Sequence, residues 1–82
     1  MTPDQARAAL QAAIVHVVPD ADLSRVAPTA DLREAFELDS LDFVEIVEQL
    51  SAEAGFRIED DDAEALRTIE SATAFLVAHA PV

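Results

Sequence analysis

The chain has 82 residues, of which 17 are acidic and five are basic, so its net charge is −12, and it contains no cysteine. This length fits one small domain, residues 1–82, and the lack of cysteine excludes disulfides and cysteine-based metal sites. The negative charge excludes nucleic acid and anionic membranes as good partners, because phosphate is repelled, and favours basic protein surfaces.

The first predicted helix begins close to the N-terminus. Thr2 suits the N-cap, Pro3 suits the first turn, and Gln5 completes a capping-box pattern. Apolar residues then recur at helical spacing until Pro19, which ends the helix. These residues are Ala6, Leu10, Ala13, Ile14 and Val17.

A long connection, residues 19–39, follows this helix. A loop of about twenty residues is unusual in a compact domain unless it is functional or anchored. The expected apolar anchors are Leu23, Val26, Leu32 and Phe36. Residues 32–36 are also predicted to form a helical turn.

The second long helix is predicted over residues 40–54, with Ser40 as its N-cap and Gly55 as a left-handed C-cap. Its spacing predicts an apolar stripe along one face. The stripe consists of Leu41, Val44, Val47, Leu50 and Ala54, broadened by Phe43 and Ile46.

Two further helices are predicted in the C-terminal third. The aspartates at 60–62 are expected to cap a short helix over residues 63–67, and Thr68 to cap the last helix, which Pro81 ends. The apolar face of the last helix contains Ile69, Ala72, Phe75, Leu76 and either His79 or Ala80. We therefore predict an all-α fold: a small four-helix bundle with three longer helices, a short third helix and a long first loop. Its expected core includes Leu23, Val26, Phe36, Ile46, Leu50, Ile58, Leu66 and Phe75.

The pattern of polar residues argues against catalysis and against a specific metal site. A serine nucleophile needs a base within reach, and the only histidines, His16 and His79, lie near the ends of predicted helices. The acidic run that starts at Asp60 fails as a calcium loop, because Ala65 occupies its sixth position and Ser71 its twelfth. No residue is assigned as catalytic or as a metal ligand.

Ser40 suits the covalent attachment of a phosphodiester. A serine in the first turn of a helix exposes its hydroxyl beside unpaired backbone N–H groups and the positive end of the helix dipole. The acids Asp42, Glu45 and Glu48 then follow at a spacing of three on one ridge, where a basic enzyme can dock. A plain capping serine on a solvated acidic face is the alternative.

The sequence LDSLDFVE at residues 38–45 resembles the phosphopantetheine attachment motif of acyl carrier proteins, whose core is Asp-Ser-Leu. The resemblance extends to IEDDDAEALRTI at residues 58–69, which is similar to the third and fourth helices of that family. It also includes TADL at residues 29–32, which is similar to the end of the family's long first loop. In all it covers about residues 29–76.

This resemblance implies a non-catalytic carrier. A phosphopantetheinyl transferase would attach 4′-phosphopantetheine from coenzyme A to Ser40, giving a phosphoprotein whose thiol holds acyl groups as thioesters. Its partners would be this transferase and acyl-loading and acyl-processing enzymes of fatty acid, polyketide or related biosynthesis, each with a basic docking surface. The implied recognition residues are Asp39, Leu41, Asp42, Val44, Glu45 and Glu48.

The expected protein is a cytoplasmic monomer without membrane insertion, since no apolar run approaches the ~20 residues that span a bilayer and the first residues do not resemble a signal peptide. Four positions depart from the family pattern and favour a specialised carrier over the housekeeping fatty-acid carrier. Glu37 replaces the usual glycine, Ala35 a common aspartate, Glu48 an apolar residue and Ala54 a bulky aromatic. An aminoacyl or peptidyl carrier and an unmodified acidic helical interaction module are the alternatives.

Overall fold

The computed structural model describes residues 1–80, and every regular element in that range is helical, which confirms the all-α prediction. The α-helices are α1 (Pro3–Val17), α2 (Leu32–Ala35), α3 (Ser40–Ala54) and α4 (Ile69–His79), and two 3-10 segments span Leu23–Arg25 and Asp60–Leu66. The predicted stop at Pro81 lies outside the described residues.

Helix α1 begins with the predicted capping box. The Thr2 hydroxyl accepts a hydrogen bond from the Gln5 N–H at 3.1 Å, and the Gln5 side chain accepts one from the Thr2 N–H at 2.9 Å. The buried face of α1 packs against both α3 and α4. This helix is therefore the centre of the bundle.

The buried residues form one apolar cluster, and no polar or charged side chain is buried within residues 1–80. Most of the expected core residues belong to this cluster: Leu23, Ile46, Leu50, Ile58 and Leu66. The prediction is wrong for Val26, Phe36 and Phe75, which are half-buried and pack against the edge of the cluster. The ring of Phe75 lies near two other rings, those of Phe56 and His79, at centroid distances of 6.0 and 4.6 Å.

The predicted apolar stripe of α3 is partly wrong. Its buried residues are Ile46, Leu50 and Ala54, whereas Leu41 is 80% exposed and Val44 is 53% exposed. Residues spaced by three rotate by about 60° per step around a helix of 3.6 residues per turn. After the nine residues that separate them, Leu41 and Leu50 therefore lie on opposite sides of α3.

Polar and backbone contacts fix the long connection to the bundle. The Gln11 side chain on α1 accepts from the Leu23 N–H at 2.9 Å and donates to the Ala21 carbonyl at 2.7 Å. Further along, the Leu32 N–H donates to the Arg67 carbonyl at 2.7 Å. These contacts, together with buried Leu23 and Leu32, hold α2 in place directly before α3.

The predicted short third helix is a 3-10 segment, and its bounds differ from the prediction. It begins at Asp60 and ends at Leu66, with Glu59 in the N-cap position, so the aspartates form its first turn instead of preceding it. The Asp62 carboxylate accepts a hydrogen bond from the Glu59 N–H at 3.0 Å, which makes this acidic turn favourable where it stands. Two predicted caps in the second half of the chain are confirmed, since the Thr68 hydroxyl accepts from the Ser71 N–H and Gly55 is left-handed with φ of 78°.

Candidate functional site

Ser40 is the first residue of α3, and it is exposed and does not cap the helix. Asp39 is the N-cap instead: its carboxylate accepts a hydrogen bond from the Asp42 N–H at 2.8 Å, and the Asp42 carboxylate accepts one from the Asp39 N–H at 3.3 Å. The prediction that Ser40 caps α3 is therefore wrong. Because the Asp39 carboxylate caps α3, the Ser40 hydroxyl is not needed as a cap.

A comparison with the other serines shows how unusual this is. The hydroxyl of Ser24 donates to Asp22 at 2.7 Å, that of Ser51 donates to the Val47 carbonyl at 2.9 Å, and that of Ser71 bonds to Thr68 at 2.8 Å. Within residues 1–80, Ser40 is the one serine whose hydroxyl makes no hydrogen bond. Its oxygen is thus not engaged by any other group of the described chain.

The backbone three residues before Ser40 is in an uncommon conformation. Glu37 has a φ of 54°, and no other non-glycine residue in the described chain has a positive φ. This left-handed conformation costs an L-residue about 1–2 kcal/mol, whereas glycine adopts it freely. Glycine, which the resemblance noted above leads us to expect at this position, would adopt the conformation without that cost.

The six predicted recognition residues lie together in the first nine residues of α3 and the cap that precedes them. Leu41 and Val44 expose their apolar side chains, and the carboxylates of Asp39, Glu45 and Glu48 are exposed as well. Asp42 is only half-exposed because its carboxylate is bonded to the Asp39 backbone. The face therefore combines apolar points with negative charge.

One contact of this face was not foreseen from the sequence. The Nε2 atom of His16 lies 3.2 Å from a carboxylate oxygen of Glu45, which joins the end of α1 to the outer side of α3. The sequence places His16 only near the end of a predicted helix. Nothing in a one-dimensional pattern relates residues 29 positions apart, so this pairing becomes visible only in the fold.

Two open grooves lie beside α3, and the Phe43 side chain lines both of them. The larger has a volume of about 490 Å³ and an apolar lining that includes Val44, Val47 and Ile58. The smaller has a volume of about 330 Å³ and a more charged lining that includes Arg33. The guanidinium carbon of Arg33 lies 5.1 Å from the centroid of the Phe43 ring, at a distance typical of a cation–π contact.

Three of the residues that line the smaller groove form an ion-pair network. Arg67 donates to the Asp31 carboxylate from Nη2 at 2.8 Å and from Nε at 3.2 Å, and to Glu64 from Nη1 at 2.9 Å. Hydrogen bonds hold the pKa of Asp31 below its usual value. Those from Arg67 have the largest effect, and those from the backbone N–H groups of α2 have a smaller one. The same carboxylates raise the pKa of Arg67. This network joins the end of the long connection to the 3-10 segment.

The residues around Ser40 fit a covalently attached phosphodiester. The hydroxyl is exposed, and within the described chain the backbone N–H groups of Ser40 and Leu41 have no acceptor. Such N–H groups at the start of a long helix stabilise a negative charge. None of the helices that the structure describes is both long enough and apolar enough to cross a membrane.

Comparison with known proteins agrees with this geometry. The model of the family described as "Phosphopantetheine attachment site" matches residues 8–76. An acyl carrier protein of Rubrobacter xylanophilus is 43% identical over 58 residues, which cover 71% of this chain and 72% of that protein. The mitochondrial acyl carrier protein 2 of Arabidopsis thaliana is 41% identical over 58 residues, which cover 71% of this chain and 46% of the plant protein, so the match spans less than half of that relative. The chain belongs to the acyl carrier protein family and is a non-catalytic carrier that bears phosphopantetheine.

Proposed function

We propose that Ser40 is the residue to which 4′-phosphopantetheine is attached, and that the face of α3 around it presents thioester-bound acyl groups to partner enzymes. One observation carries the assignment of Ser40. Its hydroxyl is exposed and makes no hydrogen bond within residues 1–80, while the other serine hydroxyls are engaged. A nucleophile that is already free costs the protein no stabilising contact when it is modified.

The chemistry that this site supports is a transfer from coenzyme A. The Ser40 oxygen forms a bond to the phosphorus atom nearer pantetheine in the diphosphate of coenzyme A, the bond from that phosphorus to the nucleotide leaving group breaks, and the hydroxyl proton passes to a base of the transferase. The chain supplies the nucleophile, while Asp39 caps α3 and so holds the first turn in position. Once bound, the arm supplies a thiol that carries acyl groups as thioesters.

The recognition surface of the proposed carrier consists of Asp39, Leu41, Asp42, Val44, Glu45 and Glu48. The exposure of two large apolar side chains in its middle supports this role, since Leu41 and Val44 contribute little to the core. The surrounding carboxylates favour enzymes with basic docking surfaces, through steered and salt-sensitive encounters. These partners are the phosphopantetheinyl transferase and the enzymes that load and process acyl groups.

Several broader features belong to the same proposal. Residues 1–82 form one domain that acts as a monomer in the cytoplasm, does not bind nucleic acid and serves fatty acid, polyketide or related biosynthesis.

Glu37, Glu48 and Ala54 support a specialised carrier over a housekeeping one, because each replaces a residue type that fatty-acid carriers usually have. The apolar groove beside α3 supports an acyl cargo, since it offers an apolar chain a place out of water.

Intact-mass spectrometry tests the attachment site. The protein is incubated with coenzyme A and a phosphopantetheinyl transferase of broad specificity, and we expect a mass gain of one phosphopantetheine group. Ser40→Ala should abolish the gain, while Ser24→Ala, at an exposed serine outside α3, should keep it. The proposal fails if the wild type gains nothing under conditions that modify a control carrier, or if Ser40→Ala is still modified.

The recognition surface has its own test. Charge reversal in Glu48→Lys should raise the KM of the transferase for the carrier several-fold. Glu53→Lys reverses the same charge at another exposed position of α3 and should change KM much less. Equal effects of the two variants would show that overall charge, and not this face, governs recognition.

A further inference from the structure

Two separate contacts place Arg33 beside the first turn of α3. Its backbone carbonyl accepts a hydrogen bond from the Leu38 N–H at 2.8 Å, and its guanidinium lies over the Phe43 ring at 5.1 Å. Leu38 and Phe43 lie on either side of Ser40 in the sequence. Phe43 also follows Ser40 by three residues in the same helix, so the two side chains are neighbours on its surface.

Arg33 also differs from most other basic residues in its charge partners. The arginines at 25, 57 and 67 each lie within 4.0 Å of a carboxylate. Within residues 1–80, Arg33 has no carboxylate at that distance, although it is exposed, and the only other arginine of which this is true is Arg7 on α1. The guanidinium of Arg33 is therefore free to bind an anion.

The sequence around Ser40 is strongly acidic, so a cation there would be stabilising. Glu34, Glu37, Asp39 and Asp42 all lie between residues 31 and 45, and Arg33 is the only basic residue in that stretch. A phosphodiester at Ser40 adds one more negative charge to this surface. A cation close by offsets the repulsion by these carboxylates.

We propose that Arg33 binds the phosphodiester of the group attached at Ser40 and so positions the arm on the side of α3 where Phe43 lines the apolar groove. This inference rests on the proposed attachment at Ser40. The Phe43 ring keeps the guanidinium plane in place, which reduces the freedom that Arg33 loses when it binds an anion. Arg33 is thus a positioning residue for the arm and takes no part in bond formation.

The experiment compares the melting temperatures of the unloaded and fully loaded forms of the wild type and Arg33→Gln. Loading is driven to completion and checked by intact mass, so that a slowly modified variant still gives the loaded form. For an exposed ion pair we expect the loaded form of Arg33→Gln to lose roughly 1–5 °C more than its unloaded form does. A purely structural contact between Arg33 and Phe43 would lower both forms equally.

Two further variants separate the proposal from general charge effects. Arg25→Gln removes the same charge at an exposed arginine that lines neither groove beside α3 and should affect both forms equally. Arg33→Lys keeps a positive charge and should restore part of the loading-dependent difference. The phosphorus NMR shift of the loaded protein should change in Arg33→Gln and stay constant in Arg25→Gln.

The outcomes distinguish this inference from the attachment proposal. If the wild type is never modified, attachment at Ser40 is wrong. If all variants are modified but Arg33→Gln destabilises both forms equally, or if Arg25→Gln gives the same loading-dependent loss, attachment stands and the role of Arg33 is rejected.

Discussion

Two leucines of α3 experience opposite environments. Leu50 is fully buried in the apolar cluster, whereas Leu41, on the other side of the same helix, is 80% exposed. Burying a leucine side chain contributes about 1.5–3 kcal/mol to folding, and leaving one in water contributes almost nothing. The inner side of α3 therefore holds the fold, while the outer side is free to carry a function at little cost in stability.

The core and the region around Ser40 also differ in their polar groups. The interior has no buried polar or charged side chain within residues 1–80. Around Ser40, by contrast, the structure has a left-handed glutamate, a capping aspartate and an arginine over an aromatic ring. Uncommon conformations of this kind tend to be found at functional sites. Substitutions in the core should consequently change stability, whereas substitutions on the exposed side of α3 should change loading by the transferase.

The largest expected effect comes from making the same substitution on both sides of α3. Leu50→Ala should lower the free energy of unfolding by about 2–5 kcal/mol, because it leaves a cavity in a small core. Leu41→Ala should change it by less than about 0.5 kcal/mol and instead raise the KM of the transferase. Urea unfolding and loading kinetics measure the two effects, and a similar loss of stability in both variants would contradict the division of α3 into two faces.

A smaller effect, dependent on pH, is expected at the ion pair that anchors the long connection. The pKa of Asp31 is lower in the folded protein than its usual value of about 3.9, so its charged form stabilises the fold above that pH. This contribution is lost as the pH falls through the lowered pKa. Asp31→Asn should therefore be less stable than the wild type at pH 5–6, and the difference should disappear toward pH 2.

Urea unfolding at a series of pH values measures this difference. Asp61→Asn, at an exposed position of the 3-10 segment, removes the same charge and serves as the control. A constant gap between wild type and Asp31→Asn from pH 6 to pH 2 would show that the Asp31–Arg67 pair does not act through ionisation.

The smallest effect is expected at Glu37. Glu37→Gly relieves a left-handed conformation that costs about 1–2 kcal/mol, offset by the roughly 0.5–1 kcal/mol that glycine loses in chain entropy. The net gain in stability should be up to about 1.5 kcal/mol. Glu34→Gly, three residues earlier in α2, should instead destabilise the protein by about 1 kcal/mol, and thermal melting of the pair tests the difference. A loss of stability in Glu37→Gly would show that the left-handed turn is not strained.

Local patterns predicted much of the fold. The capping box at Thr2, the left-handed cap at Gly55 and the cap at Thr68 depend on residues within four positions of one another, so the sequence alone reveals them. The helical spacing likewise predicted α1 and α3 with nearly correct bounds. The family resemblance was also carried by contiguous segments and is confirmed by the match over residues 8–76.

Other features depend on contacts that a linear pattern does not contain. The exposure of Leu41 follows from helix rotation relative to a neighbour, and the approach of His16 to Glu45 joins two helices. Ser40 and Asp39 are both good N-caps by residue type, and the choice between them follows from the extended backbone that Asp39 adopts. The role of Arg33 arises in the same way, because its position beside Ser40 depends on how α2 packs against α3.

The most direct test of the central claim is the location of the modification. The wild-type protein is loaded to completion, digested, and mapped by peptide mass spectrometry, which distinguishes Ser40 from the serines at 24, 51 and 71. All of the phosphopantetheine should be found on Ser40, because its hydroxyl alone among the four makes no hydrogen bond within the described residues. Phosphopantetheine on any other residue, with Ser40 unmodified, would contradict it.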